Sequence, residues 1–527
     1  MKIEIYDTTL RDGAQSAGID FTDDNKREII GALDTLGVSY IEVGNAASPA
    51  DANIIAGADT LGVKNSTLTV FCATRRSGKI VDDDTALRFA ASCPIQVVTV
   101  VGKSSRYQVE NVIKTTPEEN LSMIRDSITF LRRAGKRVFF DAEHFFDGYG
   151  DDPAYAASTL EAALDAGAER LILCDTNGGT LPDVIGVIIS TVHTKLPGAL
   201  LGVHCHDDMG MAVAGSVEAV ISGAIQVQGT ISGIGERCGN CNLSTVIPTL
   251  QLKLGFSCIT PGQLASLTRT ARKITEAANL SFNEHSPFVG GYAFTHKAGM
   301  HIDAVRKRPR TFEHISPALV GNTSDLLFSG IAGKSAYHAV LERIAPELHI
   351  NVGSDEFNAI IAKIKEYEAR GFQFENAEAS LLLVVREALG MRRRFFELLT
   401  FRVMIGEPIS VNRNSLATAW IKFAVPDENG APLEEFAAAE GQGPVNALDI
   451  ASRLALSKFY PKLSEVRLSD YKVRVLGSAS DTTASSVRVL IESTNGSSVW
   501  RTVGVSVDIV DASWQALRDS IEYYLSL

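Results

Sequence analysis

Through the first half of the chain, short apolar runs rich in β-branched residues alternate with longer stretches whose apolar residues recur at spacings of three and four. The short runs are IEIYD from residue 3, YIEVG from 40, LTVFC from 68, QVVTVVG from 96, RVFFDAE from 137, RLILCDT from 170, LLGVHCH from 200 and IQVQGTI from 225. Between them lie stretches such as DDNKREIIGALDTLG and TLEAALDAGA, amphipathic and closed by glycine, as helices are. Strand then helix, repeated eight times over roughly 250 residues, predicts a (β/α)8 TIM barrel of the α/β class. A doubly wound open sheet is the competing arrangement. It uses fewer strands and places a glycine fingerprint after the first one, where this chain has DTTLRDGAQ.

Beyond the barrel, TPGQLASLTRTARKITEAAN at 260–279 predicts one helix begun by a Thr-Pro pair. From residue 395 the texture changes to short alternating strands, FRVMIG, ATAWIKFAV, YKVRVLGS, SVRVLIES and WRTVGVSV, with helices at PVNALDIASRLAL and SWQALRDSIEYYL. The expected division is 1–260 for the barrel, 261–394 for mainly helical linker subdomains and 395–527 for a C-terminal α+β domain. That last domain carries no metal spacing, phosphate loop or nucleophile pattern, and dimerisation is its simplest role.

Composition narrows the classes. With 45% hydrophobic and 21% charged residues the chain can bury a sizeable core, and its formal net charge of −12 argues against nucleic acid, which needs a basic face. No uncharged apolar stretch reaches the roughly 18 residues of a membrane span, and the N-terminus has no signal-peptide pattern, so no membrane partner and a cytoplasmic location are expected. The seven cysteines are odd in number and scattered, which makes no disulfide framework. Cys238 and Cys241 form the one C-x-x-C, with neither the second pair of a zinc ribbon nor the short βαβ unit of a redox motif.

Active residues of such barrels sit at the C-terminal ends of the strands. The first strand delivers Arg11 and Asp12, the second Glu42, the fifth Glu143 and His144, the sixth Asp175 and Thr176, and the seventh His204, His206 and Asp207. Glu236, Arg237 and Asn240 follow the eighth. His204 and His206, two apart on a strand, share one face and can reach one ion; the plainer alternative is a pair of satisfied histidines. With Asp12 and an oxygen from Asn240 they make a donor set for a divalent ion, Zn, Mn or Mg, with room for a bidentate α-keto acid. Arg11 can then donate to the carbonyl oxygen where charge develops. The alternative for Arg11 and Asp12 is an ion pair at the barrel mouth. Thr176 can donate to a substrate carboxylate, although a threonine also ends strands for β-propensity alone. Glu42 and Glu143 end apolar strands, their roles open.

Six ordered motifs, YDTTLRDGAQ, YIEVG, CDTNGGTLP, GVHCHDDMGMAVA, GERCGNCNL and HKAGMHIDAV, resemble the acyl-CoA condensing enzymes of the DRE-TIM metallolyase superfamily, the isopropylmalate, homocitrate and citramalate synthases. Within them DAEHFFDGY, VQGTISGIGERCGNCNLSTVIPTLQLKLG and RTFEHISPALVGN look most like the long-form (R)-citramalate synthase subgroup, which joins acetyl-CoA to pyruvate on a route to isoleucine. The resemblance implies that Asp12, His204, His206 and Asn240 are metal ligands, that Arg11 polarises the carbonyl, and that Glu42 completes the superfamily's Asp, Arg, Glu signature. It implies further that Glu143 is an active-site glutamate, that Thr176 contacts the substrate carboxylate, and that His301 acts as base on acetyl-CoA. It also implies a homodimer whose C-terminal domain answers to an amino acid, isoleucine, and a linker that reaches over a partner subunit's barrel.

Two features depart from relatives: Ala14 stands where many isopropylmalate synthases have glutamate, and the loop after strand eight lacks the catalytic cysteine pattern of the lyases. The basic residues Lys297, Arg306, Lys307, Arg308 and Arg310 form either a solvated loop or a contact for CoA phosphates. Isopropylmalate synthase, with 2-oxoisovalerate as acceptor, and homocitrate synthase are the alternative activities. Against the latter, no strand-end lysine or arginine besides Arg11 and Arg237 stands out to hold a second carboxylate. A barrel that senses an amino acid without catalysis is the alternative from another class.

Overall fold

The computed structural model describes residues 1–296, 301, 304–305, 307–326, 334–405, 417–427, 430–476, 485–496 and 498–527. The chain divides into two compact units, Met1–Thr295 with Glu313–Asp325, and His296–Phe312 with Leu326–Leu527. In the first unit all eight expected strands form: β1 (Glu4–Asp7), β2 (Tyr40–Asn45), β3 (Thr67–Ala73), β4 (Val97–Lys103), β5 (Arg137–Glu143), β6 (Arg170–Asp175), β7 (Leu201–Cys205) and β8 (Gln226–Gly229). They pair in parallel in sequence order, and β1 closes on β8 with Glu4 opposite Gln226 and Tyr6 opposite Gln228, giving a closed barrel.

The period-2 alternation of the strands sorts side chains between two cores. Ile5, Ile41, Val70, Val98, Phe140, Leu173 and Val203 point outward and pack with the helices in one large cluster. Tyr6, Tyr40, Val97, Phe139, Ile172 and Cys174 point inward and fill the barrel. The helices between strands are set by their caps. Thr22 accepts from the Asn25 N–H while Asn25 answers in a capping box at the start of Asp23–Leu36, which ends at Gly37 with φ 81°. Thr116, accepting from the Glu119 N–H and followed by Pro117, starts Pro117–Arg133.

The single helix expected over 260–279 is two, Pro261–Leu264 and Leu267–Ala277, because Ala265 and Ser266 interrupt the ladder. In the second unit, helices Lys334–Ile344, Asp355–Ala369 and Glu378–Ala388 pack around Phe357, Ile360, Phe374 and Val385. There follow two copies of one motif, three antiparallel strands and a helix. The first has strands Glu397–Ile405, Ala417–Pro426 and Pro432–Gly441 with helix Pro444–Leu456. The second has Arg467–Leu476, Ser486–Thr494 and Val499–Ser506 with helix Ile509–Leu525. Strand Pro432–Gly441 was not among the expected elements, and without it the repeat is invisible. Among the described residues no helix is long and apolar enough to cross a membrane.

Candidate metal centre at the barrel mouth

The site begins with the inward parity of β7. His204 is buried inside the barrel and His206 follows two residues on, their ring centroids 5.2 Å apart. Asp12, in the turn after β1, brings its Oδ2 to 3.6 Å from His204 Nε2. One donor atom from each of Asp12, His204 and His206 lies within 4.8 Å of the others, and all three side chains are buried.

Asn240 arrives from the loop after β8, which folds back on the β7 extension. His206 and Asn240 form an isolated antiparallel bridge, the Asp207 N–H donates to the Gly239 carbonyl, and the Asn240 N–H donates to the Gly233 carbonyl. The fold-back needs glycine: at Gly239, with φ +97°, a Cβ would lie 2.0 Å from the Gly233 oxygen, and at Gly235 a Cβ would lie 2.1 Å from Asn240 Nδ2. Asn240 Nδ2 donates to Asp12 Oδ1 at 3.1 Å, which turns its own oxygen away from that bond.

Two buried polar atoms in this cluster have no hydrogen-bond partner, Asn240 Oδ1 and His206 Nδ1. Buried polar atoms are rarely left so unless an ion or water completes them. Two imidazoles, a carboxylate and an amide oxygen suit a divalent cation, so the residues fit the group the sequence implied. Electrostatics agree. Burial holds His204 down to about 3 and lowers His206, so both are neutral donors. Burial alone would raise Asp12, but the Arg11 guanidinium and the Asn240 amide N–H hold it well below the usual carboxylate range.

Arg11 bonds to both acids at once, Nη1 to Asp12 Oδ2 and Nε to Glu42 Oε2, each at 2.7 Å, with its guanidinium carbon 4.1 Å from the Phe71 ring centre. The mouth ion pair is present, and the same Asp12 also stands in the candidate donor group with His204 and His206. Burial would lower the guanidinium, yet Glu42 and Asp12 raise it. Glu42 is fully buried, its Oε1 accepting from Tyr6 at 2.7 Å and its Oε2 from Thr8 at 2.6 Å as well as from Arg11. It holds Arg11.

Thr176 and Glu143 lie at the ends of β6 and β5. The Thr176 oxygen accepts from the His144 N–H at 2.8 Å, which leaves its own proton to donate. Glu143 pairs with Lys103 Nζ at 2.6 Å. Lys103 corrects the sequence reading: β4 runs one residue past the expected QVVTVVG, so a strand-end lysine is present and its supposed absence cannot speak against a second substrate carboxylate. Arg237 forks onto Asp208 at 2.8 and 2.9 Å and donates to the Thr176 carbonyl at 2.7 Å, tying the loops after β6, β7 and β8. Asp175 and Asp207 accept from backbone N–H groups of their own turns, at Thr180 and Ala212, and Glu236 is exposed. Cys238 is exposed and Cys241 buried, the latter thiol pushed up to about 12 by burial, and both are free. His301 belongs to the second unit, where its ring stacks on Phe312 at 4.1 Å. Lys307, Arg308 and Arg310 are exposed there, and Lys297 and Arg306 lie outside the described residues.

Sequence reasoning missed the layer beneath the ligands. His204 Nδ1 lies 3.1 Å from Gln228 Oε1, and Gln228 Nε2 donates to Asp141 Oδ1 at 3.0 Å. Burial, with the Glu42 charge next, pushes Asp141 up to about 8. The signal was available in the parity: Asp141 stands two before Glu143, and Gln228 is the register neighbour of His204.

The family model described as HMGL-like matches residues 2–274, the span of the parallel barrel and the donor set at its mouth. The chain belongs to this class and, within it, to the (R)-citramalate synthase family. It is 45% identical over 525 residues to the (R)-citramalate synthase of Aquifex aeolicus, covering 99% of this chain and 98% of that one, and 46% identical over 526 residues to that of Geobacter sulfurreducens, covering 99% and 97%. The 2-isopropylmalate synthase of Lysinibacillus sphaericus is 29% identical, covering 99% and 98%. The profile described as homocitrate synthase post-HMGL domain-like matches 288–371, and that of the LeuA allosteric (dimerisation) domain matches 375–525.

Proposed function

We propose that the chain condenses acetyl-CoA with pyruvate and hydrolyses the thioester, giving (R)-citramalate and CoA in isoleucine biosynthesis. The observation that carries this reading is the buried Asp12, His204, His206 and Asn240 set with two unbonded polar atoms, in a chain similar over its whole length to (R)-citramalate synthases. A divalent ion, Mn, Mg or Zn, held by those four residues would supply Lewis-acid polarisation of the keto-acid carbonyl.

The remaining work falls to the chain's own groups. Arg11, fixed by Glu42, donates to the carbonyl oxygen as negative charge collects there. Thr176 donates its hydroxyl to the pyruvate carboxylate. His301 takes a proton from the acetyl methyl, with Glu143 in the same catalytic set, and the methyl carbon bonds to C2 of pyruvate. Water then adds to the thioester carbonyl, the C–S bond breaks, and CoA leaves as the thiol. Lys307, Arg308 and Arg310 offer positive charge to the CoA phosphates.

The three-part division, with a barrel, a linker that contributes His301 and a C-terminal regulatory domain, follows from this assignment, in a cytoplasmic homodimer. For regulation, a cavity of 570 Å³ in the second unit is lined by Gln442, Asn446, Asp449, Arg453 and Tyr471. Its lining sets the polar Gln442, Asn446 and Tyr471 beside the apolar Val445, Val466 and Leu468, a mix that suits an amino acid, here isoleucine.

The test is CoA release from acetyl-CoA with pyruvate, 2-oxobutyrate, 2-oxoisovalerate and 2-oxoglutarate side by side, with and without divalent metal, then with isoleucine or leucine. Pyruvate preference with isoleucine inhibition is expected. Preference for 2-oxoisovalerate with leucine inhibition would move the chain to isopropylmalate synthesis, and no release with any acceptor would leave a binding protein.

A further inference from the structure

Behind the ligand His204 lies a pair of side chains that the proposed reaction does not use. Gln228 and Asp141 are both buried in the barrel, on β8 and β5, and they run in line from the imidazole: His204 Nδ1, Gln228 Oε1 at 3.1 Å, then Gln228 Nε2 to Asp141 Oδ1 at 3.0 Å. The chemistry of the three groups orders the protons. An acid oxygen accepts from the amide N–H whether Asp141 is ionised or carries its proton on the other oxygen, so Gln228 presents its own oxygen to the imidazole. The proton of neutral His204 then sits on Nδ1, and the lone pair sits on Nε2, the nitrogen 3.6 Å from Asp12 Oδ2 and facing the ligand cluster.

We propose that Gln228, oriented by Asp141, is a positioning pair that fixes the His204 tautomer and ring plane, so that Nε2 is presented ready to bind the ion. The inference rests on the metal reading of the Asp12, His204, His206 and Asn240 cluster. It goes beyond that reading by naming what holds a ligand in its binding form. An outer partner of this kind is worth about 10–100-fold in metal affinity. Gln228 can do this because parallel register sets it directly beside His204, and Asp141 because the inward parity of β5 aims it into the same level of the barrel.

The experiment titrates Mn2+ into the full-length chain and reads free Mn2+ by electron paramagnetic resonance, with the metal-free melting temperature measured alongside. Gln228→Leu is expected to weaken Mn2+ binding by about 10–100-fold. The double variant Gln228→Glu with Asp141→Asn reverses the polarity of the outer bond while keeping an acceptor for the His204 Nδ1–H. It is expected to bind Mn2+ within about threefold of wild type. A packing role alone would shift the melting temperature and leave this rescue unexplained.

The proposal is overturned if Gln228→Leu binds within about threefold of wild type, or if the double variant binds no better than Gln228→Leu. Should Gln228→Leu fail to fold, the double variant decides: near wild-type affinity upholds the positioning role, and a tenfold or larger loss overturns it. Failure of the wild-type chain itself to bind Mn2+ is a different result. It removes the metal reading, and this inference with it.

Discussion

Glu42 lies at the bottom of the site, where Tyr6, Thr8 and Arg11 all donate to it. Glu42→Gln weakens the hold on the Arg11 guanidinium and leaves the four proposed ligand side chains in place. The expected outcome is a fall in kcat of about 10² with Mn2+ affinity changed by no more than a few-fold, read by steady-state kinetics beside a metal titration. A second expectation concerns pH. Protons compete with an ion only below a ligand's folded pKa, and burial has moved His204 down to about 3 and His206 below its ordinary value. Apparent Mn2+ affinity is therefore expected to change by less than about threefold from about pH 8 to pH 6, where imidazoles titrating near 6.5 would lose much more. The candidate donors were legible at this scale because residue type and two-residue spacing are local properties, and the fold brings Asp12, His204 and His206 together. The duties of Glu42 and Gln228 were not, because they depend on which atoms of distant strands come within about 3 Å.

At the scale of elements, the loop after β8 decides where Asn240 points. Gly239→Ala sets a Cβ against the Gly233 carbonyl in a left-handed backbone, a strain of about 1–3 kcal/mol. The expected result is a lower melting temperature together with weaker Mn2+ binding, since the same carbonyl accepts from the Asn240 N–H. Both readouts unchanged would show that the loop does not set Asn240. Strands of the barrel were readable from β-branched runs. Strand Pro432–Gly441 was hidden because LEEFAAAEG favours helix by propensity, and only pairing with Ala417–Pro426, residue for residue from Ala417 opposite Gly441 to Pro426 opposite Pro432, makes it extended. The helix at 260–279 erred in the other direction: its sequence is helical throughout, but Gln263 turns back to cap Thr260 and the chain restarts at Leu267.

For the whole molecule, the second unit is held by a buried charge cluster. Arg392 reaches Asp519 at 2.9 Å, Glu522 at 2.5 Å and Glu387 at 3.1 Å, and both Asp519 and Glu522 are buried. Arg392→Met strands those carboxylates and is expected to cost about 3–5 kcal/mol. Calorimetry should show a lower melting transition, while Mn2+ affinity, measured at low temperature, stays near wild type. An unchanged transition would assign the cluster no stabilising role. What the sequence by itself determined is the eight-strand periodicity, the barrel it implies and the polar residues at the strand ends, because hydrophobic alternation and residue chemistry are local properties. Only the tertiary structure decided that Arg11 serves two acids, that Asn240 and His206 keep buried polar atoms unbonded, that Gln228 backs His204, and that the C-terminal strands repeat one motif. Those facts depend on contacts between residues as much as 228 positions apart, as Asn240 is from Asp12, and such contacts exist only once the barrel has closed.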